Sequence, residues 1–392
     1  MKQPFFSIVI PTKDRPILLE DLLASIFNQE FQNYEIILSD NSDDNLTQEM
    51  LLKFSDERIQ NVRRHGLNMA DNWDQAIELC QGKYMLLFSD KMLLKQGSLE
   101  YLKQKIDLTQ ADCITWTIDV FCDTEMAFFP KDIDEDEMLS TYDLLSDMSK
   151  GNYPSYIRSA FHCSSCVSVS ILEKIRADHG RVSFQLNPDF TMSFHVSLSI
   201  EQIYRLSESL TILRQKDFEH GYGNGHSFAR KTEAVDDFLA RNNAWLEERE
   251  EIKEVPIHGS HFIIDIMLKD FYMILEMYNI DPNHYGTFED RVAGYYFRVF
   301  NEITHRQSMH VDMKYELSLW KKLFAKEDND IKIIANRAIS KILMYRLKVK
   351  LIRFAKTIPL FYNSFAILRN LFYSKRAQTF FSLNELLEKT KI

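Results

Sequence analysis

The chain has 392 residues, 45% of them apolar and 12% aromatic, which is ample for a buried core and long for a single ordinary domain. A formal charge of -10 excludes a protein that neutralises nucleic-acid phosphates over its whole surface, so no nucleic-acid partner is expected. Cys80, Cys113, Cys122, Cys163 and Cys166 are scattered and odd in number, which excludes a secreted disulfide framework and suits a reducing cytoplasm. The first residues carry too short an apolar run for a signal peptide, and no stretch has the apolar length of a membrane-spanning helix. A soluble or peripheral protein is expected.

In chain order, Phe6 to Ile10, Tyr34 to Leu38 and Tyr84 to Phe88 are strand-like apolar runs, and Ile17 to Asn28 and Asn72 to Cys80 have helical spacing. The alternation predicts an α/β fold with a mostly parallel sheet flanked by helices. Pro16 suits a first helical turn and Gly82 the stop after Cys80. Each strand runs into a polar loop, namely Pro11 to Arg15, Ser39 to Asp44, and Ser89 to Lys91. Loops at the carboxyl ends of such strands are where ligands bind.

Further on, β-like stretches are expected around Cys113 to Phe121 and Cys163 to Val169, and the acidic run Asp134 to Glu137 as a solvated face. The pair Cys163 and Cys166 stands alone, without the second pair a zinc site needs, and suggests buried strand thiols. The segment from His220 to His226 holds three glycines and suits a mobile lid, from which Arg214, Lys216, His220 and His226 would reach a diphosphate. Beyond it the pattern is helical, with Phe271, Tyr272, Tyr278, Tyr295, Tyr296 and Phe297 expected in the core. Between Lys341 and Asn384 there is no acid, while Lys341, Arg346, Lys348, Lys350, Arg353, Lys356, Arg369, Lys375 and Arg376 are basic. Leu347, Leu351, Phe354 and Ile358, then Phe361, Phe365, Leu368 and Phe372, fall at helical spacing, which predicts two basic amphipathic helices suited to an anionic membrane surface. Three parts are thus expected, 1–230, 231–340 and 341–392.

A site for a nucleotide-diphosphate sugar needs groups that read the base, hold the ribose and neutralise the leaving diphosphate. Asp40 can accept from a uracil N–H and from a hydroxyl, and the first loop brings Pro11, Thr12 and Arg15 to the same edge. The series Phe6 to Arg15, Glu35 to Ser42, Asn68 to Asn72 and Gly82 to Asp90 resembles the family 2 glycosyltransferases. The resemblance is firm over about the first 100 residues and looser to about Arg230. It implies the GT-A fold, a nucleotide-sugar donor, here a UDP-sugar, and inversion at the anomeric carbon. It places Pro11, Thr12, Arg15, Asp40, Asn41 and Asn72 on the nucleotide, and Asp90 at the first position of the Asp-x-Asp motif that holds Mg2+ or Mn2+.

The sequence departs from that motif, because Asp90 is followed by Lys91 and Met92. A thioether is a poor ligand for a hard cation. One reading is a metal-independent site in which the Lys91 ammonium stands where the metal charge would be; others are a metal held by Asp90 or a degenerate site. The proposed general base is Asp189, in Leu186-Asn187-Pro188-Asp189-Phe190, which resembles the place where the family carries its base; the same residue would serve equally as an N-cap of the helix that follows. The expected protein is an inverting glycosyltransferase, peripheral on the cytoplasmic face of a membrane, acting on a glycan or lipid-linked acceptor in surface-polysaccharide synthesis. The rivals are a non-catalytic binding or assembly partner on the same fold and a nucleotidyltransferase, and a homo-oligomer is among the arrangements left open.

Overall fold

The computed structural model describes residues 3–124, 126–129, 133–184, 187–215, 255–256, 263–308, 312–356 and 378–379. Its first elements are β1 (Phe6–Thr12), α1 (Pro16–Phe27), β2 (Tyr34–Asp40), α2 (Leu46–Leu51), β3 (Ile59–Arg63), α3 (Met69–Ile77) and β4 (Tyr84–Leu87). The strands are apolar at successive positions because both faces are covered. Phe6, Ile8 and Ile10 of β1 join Ile36 and Leu38 of β2 in one core, while Val9, Ile37, Met85 and Leu87 enter the other.

β1 pairs in parallel with β2 and with β4, and β2 with β3, so their carboxyl ends share one edge. Thr12 stands opposite Asp40, and Asp40 opposite Arg63. Pro16 opens α1 as expected. Helix α3 starts before Asn72 because the Asn68 side chain caps it by accepting from the Asp71 N–H. At Gly82 a Cβ would lie 2.7 Å from Ser7 Oγ and 2.8 Å from the Ser7 nitrogen, so a side chain there would separate the entry of β4 from β1.

The chain continues through β5 (Met92–Leu94), α4 (Ser98–Thr109), β6 (Cys113–Thr115), β7 (Ile118–Cys122), β8 (Ala127–Phe129), β9 (Glu137–Ser140), α5 (Thr141–Ser149), α6 (Tyr153–Arg158), β10 (Ser165–Ser168), α7 (Val169–His179), α8 (Pro188–Ser199), β11 (Gln202–Arg205) and β12 (Thr211–Gln215). The large sheet has the order β3-β2-β1-β4-β10-β6-β11-β9, and a smaller one contains β8, β7, β12 and β5 in that order. Among the described residues of the large sheet, antiparallel pairing enters where β10 inserts between β4 and β6 and where β9 meets β11; in the small sheet β12 runs antiparallel to β5 and β7 to β8. The β-like stretch expected from Cys113 to Phe121 forms two strands, β6 in the large sheet and β7 in the small one. Trp116 lies buried between them, its indole N–H donating to Thr211 Oγ1 at 2.9 Å.

The acidic run is solvated in its first half, where Asp134 and Glu135 are exposed, and engaged in its second. Asp136 accepts from Lys105, the Ser207 N–H and hydroxyl, and Tyr204. Glu137 binds Arg158 and Arg205. Partial burial opposes ionisation of Asp136, but the four donors prevail and hold its carboxyl at about 2.

The later helices are α9 (Ile263–Met277), α10 (Phe288–Ser308), α11 (Lys314–Phe324) and α12 (Asn329–Lys356), and β13 (Gln378–Thr379) pairs with β8. Phe271, Tyr272, Tyr295 and Tyr296 are buried and share one core with Val9, Ile37 and Met85 of the large sheet, with Tyr278 and Phe297 packed against it. Gly294 of α10 lies so close to Lys150 that a Cβ would meet its carbonyl oxygen at 2.5 Å. The first of the two expected basic helices is the end of α12. The second, over Phe361 to Phe372, lies outside the described residues, as do Lys216, His220 and His226.

Candidate active site

The edge where β1, β2 and β4 end is laced together by its own loops. The Asn41 N–H donates to the Thr12 carbonyl at 3.0 Å, the Asp14 N–H to Ser42 Oγ at 2.9 Å, and the Asp43 N–H to Asp14 Oδ1 at 2.9 Å. The Asn41 side chain bridges to the loop before α3, donating to the Leu67 carbonyl and accepting from its N–H. Asn72 pairs with Ser39, whose hydroxyl donates to Asn72 Oδ1 at 2.7 Å. The buried Asn41 and Asn72 therefore brace the loops through their amides. Asp40 is fully buried, with Oδ1 accepting from the Ser42 N–H at 3.0 Å and Oδ2 from Gln48 Nε2 at 2.7 Å. Asn61 in turn donates to Gln48 Oε1 at 2.8 Å. Pro11 is buried beside Thr12 at the same edge.

Asp90 is brought to that edge by the loop after β4. Its Oδ2 accepts from the Thr12 hydroxyl at 3.0 Å and its Oδ1 from Arg15 Nη1 at 3.1 Å. Among the described residues no group of three His, Cys, Asp or Glu side chains could hold a metal ion. Met92, where a second acid would be needed, is buried in β5 opposite Leu213. These residues do not fit a divalent cation: the carboxylate is committed to a guanidinium and a hydroxyl, and its neighbours are a cation and a thioether. The Lys91 ammonium makes no hydrogen bond or ion pair among the described residues.

Arg214 does not stand free for a diphosphate. It is clamped between Asp21 and Asp123, the latter at 2.8 Å. The clamp ties β12 to α1, a role invisible locally because Asp21 lies far away in the sequence.

Asp189 sits in the first turn of α8, where Asn187 is the capping residue, so it is not the N-cap. Its carboxylate turns inward. The side chain is 19% exposed, and Oδ2 accepts from the Tyr156 hydroxyl at 2.8 Å. Burial raises its pKa above the usual 3.8, opposed by the Tyr156 hydroxyl, nearby backbone N–H groups and the Lys91 charge. Lys91 also disfavours protonation of His162, after the larger effect of burial, and the imidazole is pushed down to about 3. The deeply buried Cys163 and Cys166 have thiols pushed far up, Cys163 to about 12, which makes them unreactive packing groups. Cys163 precedes β10, and its sulfur accepts from the Ser89 N–H at 3.4 Å.

Sequence reasoning did not single out Tyr156, His162, Trp73 or Gln48. Trp73 follows Asn72 on α3 and packs on the His162 ring with centroids 5.0 Å apart. The available signals were the polar ends of Tyr156 and His162 within otherwise apolar stretches, and neither reveals its partner.

The α/β sheet, parallel from β3 to β4 with its strand ends on one rim and helices flanking it, has the architecture of the GT-A class. Residues 7–167 match the family model described as Glycosyl transferase family 2. It is 25% identical over 222 residues to the GalNAc(5)-diNAcBac-PP-undecaprenol beta-1,3-glucosyltransferase of Campylobacter jejuni, covering 55% of this chain and 69% of that protein. It is 35% identical over 112 residues to an abequosyltransferase of Salmonella typhimurium, covering 27% of this chain and 33% of the relative. A solved structure of S. aureus TarS 1-349 with UDP-GlcNAc has 14% identity and a TM-score of 0.48, over 87% of this chain and 92% of that one. The chain is a glycosyltransferase.

Proposed function

We propose that the protein transfers a sugar from a UDP-sugar, with inversion and without a metal, to a hydroxyl of a lipid-linked glycan at a membrane surface. The observation that carries this reading is that the Lys91 ammonium, unpaired among the described residues, adjoins Asp90 on the rim where β1 and β4 end and is near enough to Asp189 for its charge to favour the ionised carboxylate, which supports a cation for the leaving group beside a base for the acceptor. Asp189 takes the proton of the acceptor hydroxyl as its oxygen attacks the anomeric carbon. The bond from that carbon to the phosphate oxygen breaks, and the diphosphate leaves with the electron pair beside Lys91 and Arg15. Uracil binding exchanges one donor for another: the ring N–H takes the Asp40 oxygen that Gln48 Nε2 occupies.

Titration calorimetry of UDP, GDP and dTDP, each with Mn2+ and with EDTA, tests the site. UDP binding that survives EDTA and is lost in Asp40→Ala is the expected result. Absence of nucleotide binding under every condition would leave the fold as a binding partner without a donor site.

The lipid-linked acceptor is supported by the Campylobacter relative, whose name specifies an undecaprenol-linked substrate. Within the described residues no helix is long and apolar enough to cross a membrane. At the end of α12 Leu343, Met344 and Leu347 are 46%, 72% and 58% exposed, in the stretch that lacks acids. This supports peripheral binding to an anionic inner leaflet, where each basic residue contributes about 1 kcal/mol. Lys348→Glu, Lys350→Glu and Arg353→Glu together are expected to release the protein from phosphatidylglycerol vesicles. Unchanged co-sedimentation would remove the membrane from the proposal.

A further inference from the structure

His162 is the functional-looking group that the reaction above does not use. Its Nδ1 is buried without a hydrogen-bond partner among the described residues, and it lies 3.8 Å from Asp189 Oδ2. A buried polar atom without a partner is rare enough in a folded protein to need a reason. The ring is fixed between Trp73 and Phe161, with centroids at 5.0 and 4.5 Å. Tyr156, whose hydroxyl reaches the same Asp189 oxygen, packs edge-on against Phe161 at 5.3 Å. Tyr156 and His162 thus converge on Oδ2 from α6 and the loop before β10, and no side chain among the described residues is bonded to Oδ1.

Resting on the glycosyltransferase reading of Asp189, we propose that His162 is a positioning residue for that base: its Nδ1–H faces Oδ2 beside the Tyr156 hydroxyl and holds the carboxylate with Oδ1 toward the acceptor hydroxyl. The separation is too long for a hydrogen bond in the resting enzyme, and a shift of less than about 1 Å closes it to hydrogen-bond length. The imidazole does not itself take the proton. Burial and Lys91 push it down to about 3, whereas Asp189 is raised above 3.8, so the carboxylate is the stronger base. The charged and titratable groups around the pair are Lys91, Tyr156, Cys163 and Asp90; of these, Lys91 and Tyr156 favour the ionised carboxylate. An Nδ1–H donor adds to them, so its loss makes Asp189 harder to ionise.

Two measurements on the full-length protein test this. In histidine-labelled enzyme, with the resonance assigned by its loss in His162→Phe, nitrogen NMR is expected to find an Nδ1-protonated ring whose signal moves in Asp189→Asn. An unprotonated Nδ1, or a signal indifferent to Asp189, would overturn the proposal without any substrate. In transfer from UDP-sugars to p-nitrophenyl glycosides, His162→Phe is expected to lower kcat about 10-fold, less than the loss of the general base itself would cost, and to shift the acidic limb of kcat upward, since the contact closes in the substrate complex. His162→Asn, which returns an amide nitrogen near the Nδ1 position, should restore the limb. If Asp189→Asn is as active as wild type, the reading of the base fails. If it is inactive while His162→Phe leaves the limb unmoved, only the role of His162 fails.

Discussion

Asp189→Asn is expected to reduce kcat by about 10²- to 10⁴-fold, the range set by loss of a positioned general base, while UDP affinity is unchanged. The substitution keeps the shape of the side chain and an oxygen for the Tyr156 hydroxyl, and it removes the negative charge and the ability to accept a proton. The pH dependence follows from the direction of the shift. The base works ionised and its pKa is raised above 3.8, so the acidic limb of kcat/KM lies above the ordinary carboxylate value and activity climbs with pH through it. The residual activity of the variant should show no such limb. Stability moves the other way: a carboxyl whose pKa is raised on folding favours the folded state below its unfolded pKa, and that contribution is lost as pH rises through the folded value. At neutral pH the wild type holds an ionised carboxylate against its burial, which the neutral amide avoids, so the variant should melt no lower than wild type. A variant that melts much lower would assign the lost turnover to misfolding, and one that keeps full turnover would remove Asp189 from the mechanism.

The parts of this molecule legible in its sequence are those set by local pattern. Continuous apolar runs marked strands buried on both faces, and Pro16 marked the start of α1. The loop residues Thr12, Arg15, Asp40 and Asp90 were found because strand ends collect ligands, and the structure brings Thr12, Arg15 and Asp90 into direct contact. What was not legible depends on partners far apart in the chain. Arg214 looked available for a phosphate until Asp21 and Asp123 were placed on either side of it. Asp136 looked solvated until Lys105, Tyr204 and Ser207 converged on it. His162 was overlooked beside two cysteines, although its link to Asp189 spans only 27 residues, because nothing local shows that the two face each other. Asn41 and Asn72 show a different limit, since the sequence identifies the residue but not whether its amide meets the ligand or braces the loop.

Lys91→Ala is expected to lower kcat by about 10²- to 10³-fold, as removal of one preorganised charge-stabilising group does, with a smaller loss of UDP affinity. As the bond to the anomeric carbon breaks, charge gathers on the diphosphate, and the protein must offer a positive group not already neutralised. Arg15 is paired with Asp90, whereas Lys91, next to Asp90 in the chain, has no acidic partner among the described residues. Mn2+ is not expected to rescue the variant, and EDTA should leave the wild type unaffected. Lys91→Asp restores an acidic pair on paper, yet it should not create a metal-dependent enzyme, because both Asp90 oxygens are engaged and Met92 is buried in β5. Loss of wild-type activity in EDTA would return the site to a metal, with ligands beyond those described. The two roles of Lys91 can then be separated by pH. Its charge also helps keep Asp189 ionised, so Lys91→Ala should move the acidic limb upward; well above that limb Asp189 is ionised in both enzymes, and the deficit that persists there belongs to the leaving group alone.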